Sequence, residues 1–328
     1  MAPLVTIYGG SGFVGRYIVR RMAAAGWRVR VAVRRPNEAL FVRTYGVVGQ
    51  VEPVFCNIRD DASVAAVMTG ADAVVNCVGI LNEVGANRFD AVQAEGAGRI
   101  ARLAAQAGVG RMVHVSAIGA DATSTSRYAR SKAAGEAAVL AQMPGAIILR
   151  PSIVFGTEDG FFNRFAGMAR LAPVLVIAGG SSRFQPVWVE DVAQAAERAL
   201  LGQVAPGIYE LGGPEAATFR DLINRMLAEI RRRRLVIDLP IPLAKLMGGA
   251  FDLLQTVTFG LFVNTLLTRD QVENLRRDNV VAPGMPGFAE IGIEPTAMDA
   301  VLPGYLWRFR PGGQYAAIRE SADKLHKP

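Results

Sequence analysis

The chain has little of the material from which metal centres and hydrolytic triads are built. Its 328 residues include two histidines, His114 and His326, and two cysteines, Cys56 and Cys77. A zinc site needs three or four ligands at close spacing, and a Ser-His-Asp triad needs a histidine near its serine, so neither chemistry has its parts and no metal is expected. Each cysteine closes a short apolar run that reads as a buried strand, which makes both reduced core residues. His114 lies on a strand and reads as structural. Lysine is scarce too, with four against 32 arginines. The formal charge of +7 favours anionic partners: phosphates, acidic lipids or an acidic protein face. Nucleic acid is not among them, because the basic residues are scattered and no nucleic-acid module is present. No internal repeat or low-complexity linker interrupts the chain. "MAPLVTIYGG" enters the first strand without a basic or apolar leader, so the expectation is a protein retained where it is made, in a bacterial cytoplasm.

Apolar residues make up 51% of the chain, ample for a buried core. Short β-branched runs alternate with helix-like stretches: "PLVTIY", 13–25, "RVRVAV", 37–46, "VEPVF", 60–68, "DAVVNCV", 87–107, "RMVHVS", 126–142 and "GAIILR". Strands that are apolar along nearly their whole length, separated by helices, predict an α/β fold with a doubly wound parallel sheet of the Rossmann type. Beyond Pro151 the pattern loosens into a second, smaller α/β lobe and a C-terminal helical region. The expected boundaries are a dinucleotide-binding domain over 1–155, with 186–215 returning to it, a smaller lobe with apolar helices over 156–300, and a tail over 301–328.

In "VTIYGGSGFVG", Gly9, Gly12 and Gly15 recur at three-residue spacing between the first strand and the first helix. Glycines there permit a tight turn and let backbone N–H groups approach a pyrophosphate, while the helix N-terminus supplies positive potential. The second strand ends in Arg34 and Arg35, where an NAD-specific protein carries an acid for the ribose 2′-hydroxyl. A guanidinium suits a 2′-phosphate, so the expected cofactor is NADPH or NADP. Tyr128 and Lys132, in "YARSK", are one helical turn apart and share a face. An ammonium there favours the phenolate of a neighbouring tyrosine, which otherwise ionises too high for catalysis at neutral pH.

The signatures "YGGSGFVG", "CNIRD", "NCVG", "VHVSAIGA", "YARSK", "RPSIVFG" and "QPVWVEDVA" together resemble an extended or atypical short-chain dehydrogenase/reductase over about residues 4 to 215. "SRYARSKAAGE", "EDGFFNRFAGMARLAP" and "LTRDQVENLRRDNVV" are similar to the short-chain-dehydrogenase-like accessory subunits of respiratory complex I, which extends the likeness almost to the C-terminus. The superfamily resemblance implies roles by position. Tyr128 is the proton donor, Lys132 lowers its pKa and holds the nicotinamide ribose, and Ser116 orients the substrate oxygen. The cofactor contacts fall to Gly9, Ser11, Gly12, Phe13, Val14 and Gly15, to Arg34 and Arg35, Asn57 and Ile58, Val78 and Gly79, Tyr128 and Lys132, and Pro151 and Ile153. Two positions depart from the extended pattern. Ser116 precedes Tyr128 by only twelve residues, and Asn57 stands where an Asp is common.

The complex I resemblance implies a nucleotide-binding accessory subunit with a structural or assembly role, without turnover and with Ser116, Tyr128 and Lys132 vestigial or cofactor-holding. Its partners are the other complex I subunits, and its place is peripheral, on the cytoplasmic face of the bacterial inner membrane. The alternative is a free NADP-dependent reductase or epimerase acting on a carbonyl or sugar nucleotide. Residues 231–234 read "RRRR", and a largely apolar stretch follows from 239 to 267. There Lys245, Gly248, Gly249, Asp252, Gln255 and Thr256 form one polar stripe at helical spacing. Lys245, Asp252 and the glycines argue against a spanning helix. The stretch is therefore core, partner-facing, or laid on an anionic membrane surface beside the arginines.

Overall fold

A computed structural model of the protein describes residues 2–258, 264 and 268–315. The first half follows the predicted alternation. β1 (Leu4–Tyr8), β2 (Arg28–Val33), β3 (Val51–Phe55), β4 (Ala73–Asn76), β5 (Arg111–Val115) and β6 (Ile147–Pro151) are separated by α1 (Phe13–Ala24), α2 (Asp61–Met68), α3 (Glu95–Gln106) and α4 (Arg127–Gln142). Two stretches read as α-helix wind differently. Pro36–Tyr45 forms 3₁₀ turns with no side-chain cap to start them, and Asp90–Ala94 forms a π-helical turn leading into α3.

Beyond β6, β7 (Val154–Phe155), α5 (Phe162–Leu171), β8 (Val174–Ala178), β9 (Arg183–Phe184) and β10 (Val187–Trp188) lead to α6 (Val189–Leu200) and β11 (Gly207–Leu211). β11 pairs parallel with β6 and completes a seven-stranded sheet of order β11-β6-β5-β4-β1-β2-β3. The order reverses between β1 and β4, so the carboxyl end of β1 opens on the crevice where such sheets bind ligands. Side-chain alternation divides the core into two layers. Ile7, Val31 and Val75 face α1 and α6, while Tyr8, Val74 and Met112 face α2 and α3. On the second face the polar atoms are satisfied by α2 carbonyls: Thr6 Oγ1 donates to Val67 O and Tyr8 Oη to Val64 O, each at 2.9 Å.

The smaller lobe is built from β12 (Ala217–Thr218), α7 (Phe219–Glu229) and β13 (Leu235–Leu239), together with α5, β8 and β9. Phe161, Phe162, Phe165, Phe184 and Phe219 stack edge to face at its centre. β13 pairs parallel with β8 and delivers α8 (Ile241–Val257), and α9 (Arg269–Asn274) packs back against it.

α8 turns its polar stripe inward. Lys245 pairs with Glu273 of α9, Asp252 accepts from Arg269 N at 3.0 Å, and a Cβ on Gly248 would stand 3.0 Å from that same nitrogen. Leu243, Leu246, Met247 and Val257 are exposed on the other side, so they do not belong to the lobe's core. The side chains of Gln255 and Thr256, residues 259–263 and 265–267 of the apolar stretch, and residues 316–328 of the tail lie outside the described residues. The arginine run is partly consumed by the fold. Arg234 Nε donates to Ala169 O in the last turn of α5, and Arg232 Nε donates to Phe309 O. No helix among the described residues is long and apolar enough to cross a membrane.

Candidate functional site

The glycine-rich turn leaves β1 with Gly9 at φ +76, its N–H bonded to Ala32 O at 3.0 Å, which ties the turn to the end of β2. α1 begins after Gly12, which offers no side-chain cap, so its first N–H groups are left for a ligand. A Cβ on Gly15 would lie 2.4 Å from Gly9 O and 2.7 Å from Gly10 Cα, so only glycine lets the helix start this close to the turn. Ser11, Phe13 and Val14 are half-buried along the rim. Arg16 escaped the sequence reading: its guanidinium donates to Ser11 O at 3.0 Å, lies over the Phe41 ring and reaches Glu158 at 3.5 Å. Its position directly after the last glycine is the only signal that could have marked it.

The other predicted residues follow the strand ends around the carboxyl edge of the sheet. Arg34 and Arg35 come directly after β2 and are exposed, with Arg35 paired to Glu38 at 3.0 Å. Past β3, Asn57 Oδ1 accepts from Arg59 N, and Ile58 O accepts from Arg99 at 2.9 Å. Past β4, Val78 N donates to Asn76 Oδ1 at 3.0 Å. Pro151 ends β6 and its carbonyl accepts from Ile118 N, while Ile153 O accepts from Val187 N.

Ser116 follows β5, and Lys132 reaches it from α4, its Nζ donating to Val115 O at 3.2 Å. A Cβ on Gly79 would be 3.6 Å from that Nζ and 3.5 Å from Gln93 Oε1, so Gly79, Lys132 and Gln93 share one small space. Three buried polar atoms at this end of the site have no partner: Ser116 Oγ, Gln93 Oε1 and His114 Nε2. Buried polar atoms are rarely left unpaired, so a polar ligand or a water would complete the bonding here. Gln93 is a further residue the sequence reading missed. It is held by the π-helical turn, a device common at functional sites, and its Nε2 donates to Ser131 Oγ at 2.9 Å.

The electrostatics separate the Tyr-Lys pair. Burial lowers Lys132 to about 8, opposed by the charges of Glu136 and Cys77. Burial and then the Asp270 carboxylate push the Tyr128 phenol up to about 12. Burial and then the Lys132 charge lower His114 to about 3, so the ammonium acts on the core around Cys77 and His114. Tyr128 instead packs edge-on to Phe89, with ring centroids 5.8 Å apart. The uncapped α1, the close approach of helix and turn at Gly15 and the three orphaned atoms together fit a dinucleotide lying from the glycine turn to Ser116.

Comparison with known proteins agrees with this geometry. The profile of the NAD dependent epimerase/dehydratase family matches residues 5–212. The chain belongs to that family. Its likeness runs past the family's core: it is 34% identical over 94% of its length, and 79% of the relative's, to the mitochondrial NADH dehydrogenase (ubiquinone) 1 alpha subcomplex subunit 9 of Arabidopsis thaliana. The chain is also 36% identical, over 58% of each protein, to the ceramide reductase of Caulobacter vibrioides. Among solved structures, a dTDP-glucose 4,6-dehydratase from Streptomyces venezuelae with NAD bound superposes at a TM-score of 0.70, with 20% identity, covering 97% of this chain and 98% of that one. At that identity the family's shared fold is what the superposition establishes.

Proposed function

We propose that the chain is an accessory subunit of a bacterial respiratory complex I, peripheral on the cytoplasmic face of the inner membrane, that holds NADP(H) as a structural ligand. The observation that carries this reading is the length of the likeness to a complex I subunit, 94% of the chain, which takes in α8 and α9 as well as the sheet. A bound nucleotide present only in the folded state adds stability by mass action. Nicotinamide dinucleotides supply hydride chemistry, but the residues here serve to hold one: the α1 N-terminus and Arg16 for phosphates, and Lys132, Gln93 and Ser116 for polar groups at the far end. Under mild detergent extraction the chain is expected to sediment with NADH:ubiquinone oxidoreductase activity. Recovery only as a free soluble species would sink the assignment.

Arg34 and Arg35 support NADP(H) over NAD(H). Replacing both with alanine is expected to weaken NADPH binding by about tenfold while leaving NADH nearly unchanged, as loss of charge-assisted bonds to one phosphate requires. Tighter binding of NADH by the unmodified protein refutes the preference. A second reading, a reductase acting on a carbonyl substrate, draws on the presence of Ser116, Tyr128 and Lys132 and on the ceramide reductase relative.

A further inference from the structure

We propose that Asn57 determines how the site reads the purine of its dinucleotide: it presents a hydrogen-bond donor to the base edge, so the site favours an acceptor at position 6 over the amino group of adenine. The inference rests on the reading of a site that holds a nicotinamide dinucleotide and deepens it, by assigning the recognition of the base.

The place of the base follows from the sheet order. With the pyrophosphate at the α1 N-terminus and the nicotinamide half running past β4 towards Ser116, the other nucleoside crosses the ends of β2 and β3. β3 is two strands from β1, about 10 Å away and within reach of an adenosine. Ile58 and Val78 supply apolar walls there, both half-buried against the same core cluster. Val78 stands beside the glycine turn, its Cγ2 3.2 Å from where a Cβ on Gly9 would be, and Ile58 Cδ1 lies 2.9 Å from the corresponding point on Gly96 of α3.

Bonds already made fix the polarity of this rim. Asn57 Oδ1 accepts from Arg59 N at 3.2 Å and from Arg59 Nε at 3.4 Å, while Asn57 N donates to Ser63 Oγ at 2.9 Å. A backbone N–H can only donate, so the amide cannot be turned round and Nδ2 is the group left for a ligand. The nearby acceptors are committed. Asn57 O accepts from Asp60 N at 3.0 Å, Ile58 O from Arg99 Nη1 at 2.9 Å and Ala86 O from Arg59 Nη1 at 3.0 Å. Asp60 caps α2, and Asp61 pairs with Arg99 and Arg102. Two donors remain, Asn57 Nδ2 and Ile58 N, and neither has an acceptor among the described residues. Adenine sets an amino donor at position 6 beside its ring acceptors, whereas hypoxanthine has the acceptor O6 in that place. The donors can meet a ring nitrogen of adenine, but they leave its amino group unpaired.

The test exchanges the base on the full-length chain. NADPH and its deamino analogue, in which hypoxanthine replaces adenine, are titrated by the fluorescence of the bound dihydronicotinamide. The pair is repeated without the 2′-phosphate, so that the result does not depend on Arg34 and Arg35. The wild-type protein is expected to bind the deamino form about threefold more tightly than the adenine form. Asn57→Asp keeps Oδ1 for Arg59 and exchanges only the Nδ2 donor for an acceptor oxygen. It is expected to reverse the order and favour the adenine form by about tenfold. The ratio of the two affinities is the readout, because looser packing or an added negative charge weakens both ligands alike. Equal binding of the two forms by the wild type, tighter binding of the adenine form, or a ratio that Asn57→Asp leaves unmoved overturns the proposal. The wild-type ratio decides alone should the variant fail to fold. If neither form binds, the nucleotide reading fails and takes this proposal with it, whereas binding of both with adenine preferred defeats only the role of Asn57.

Discussion

Arg150→Met is expected to destabilise the protein by about 3–5 kcal/mol, the range found when one member of a buried ion network is removed and its partners are left charged. Arg150 lies on β6 and grips Glu136 of α4 in a bidentate pair, at 2.9 and 2.6 Å, while reaching Glu210 of β11 at 3.4 Å. The two carboxylates are 4% and 7% exposed, so neither recovers its hydration when the guanidinium goes. Glu136 is also one turn from Lys132, and the damage should extend to nucleotide binding. Urea unfolding measures the effect. A loss within about 1 kcal/mol would mean that water reaches the carboxylates, and adding Glu136→Gln to the variant should recover part of the loss.

Gly15→Ala is expected to cost about 3 kcal/mol of stability or more and to abolish nucleotide binding at micromolar concentrations. The new methyl meets the Gly9 carbonyl oxygen at 2.4 Å and Gly10 Cα at 2.7 Å, both backbone, so no side-chain rotation relieves the contact. Either α1 shifts off β1, breaking the close packing that aims its N-terminus, or the turn itself deforms. Gly145→Ala is the control, since nothing lies within 4 Å of its added Cβ. If both variants melt and bind alike, the close approach at Gly15 is unimportant.

The parallel sheet was legible in the sequence because strands covered on both faces carry uninterrupted apolar runs, and "VTIYGGSGFVG" marks its ligand crevice by a steric requirement that only glycine meets. Two kinds of feature were not legible. The first is any contact between distant segments: nothing around Asp270 or Glu210 in the sequence says that one meets the start of α4 and the other meets Arg150, because those pairings exist only once the lobes are folded. The second is direction. The spacing of Tyr128 and Lys132 puts them on one helix face, but the carbonyl of Val115 determines where the lysine's end goes. Likewise the polar stripe of α8 is visible as a period, yet a period does not say which way the stripe faces. Here α9 supplies the partners and turns it inward, leaving Leu243 and Leu246 outside.

β11 has a consequence for how the chain is made. The sheet grows outward from β1 in both directions, and its last place, beside β6, is filled by residues that follow α5, β8 and α6. Until residue 211 has left the ribosome, β6 presents an unpaired edge bearing Ile147, Ile148 and Leu149, the kind of apolar strand edge that recruits other chains. Glu210 arrives on the same strand, so the Arg150 charge is fully paired only at that moment as well. A nascent chain halted before β11 is therefore the species most exposed to aggregation and most in need of a chaperone, and expression of the first 155 residues alone would freeze the protein in that state.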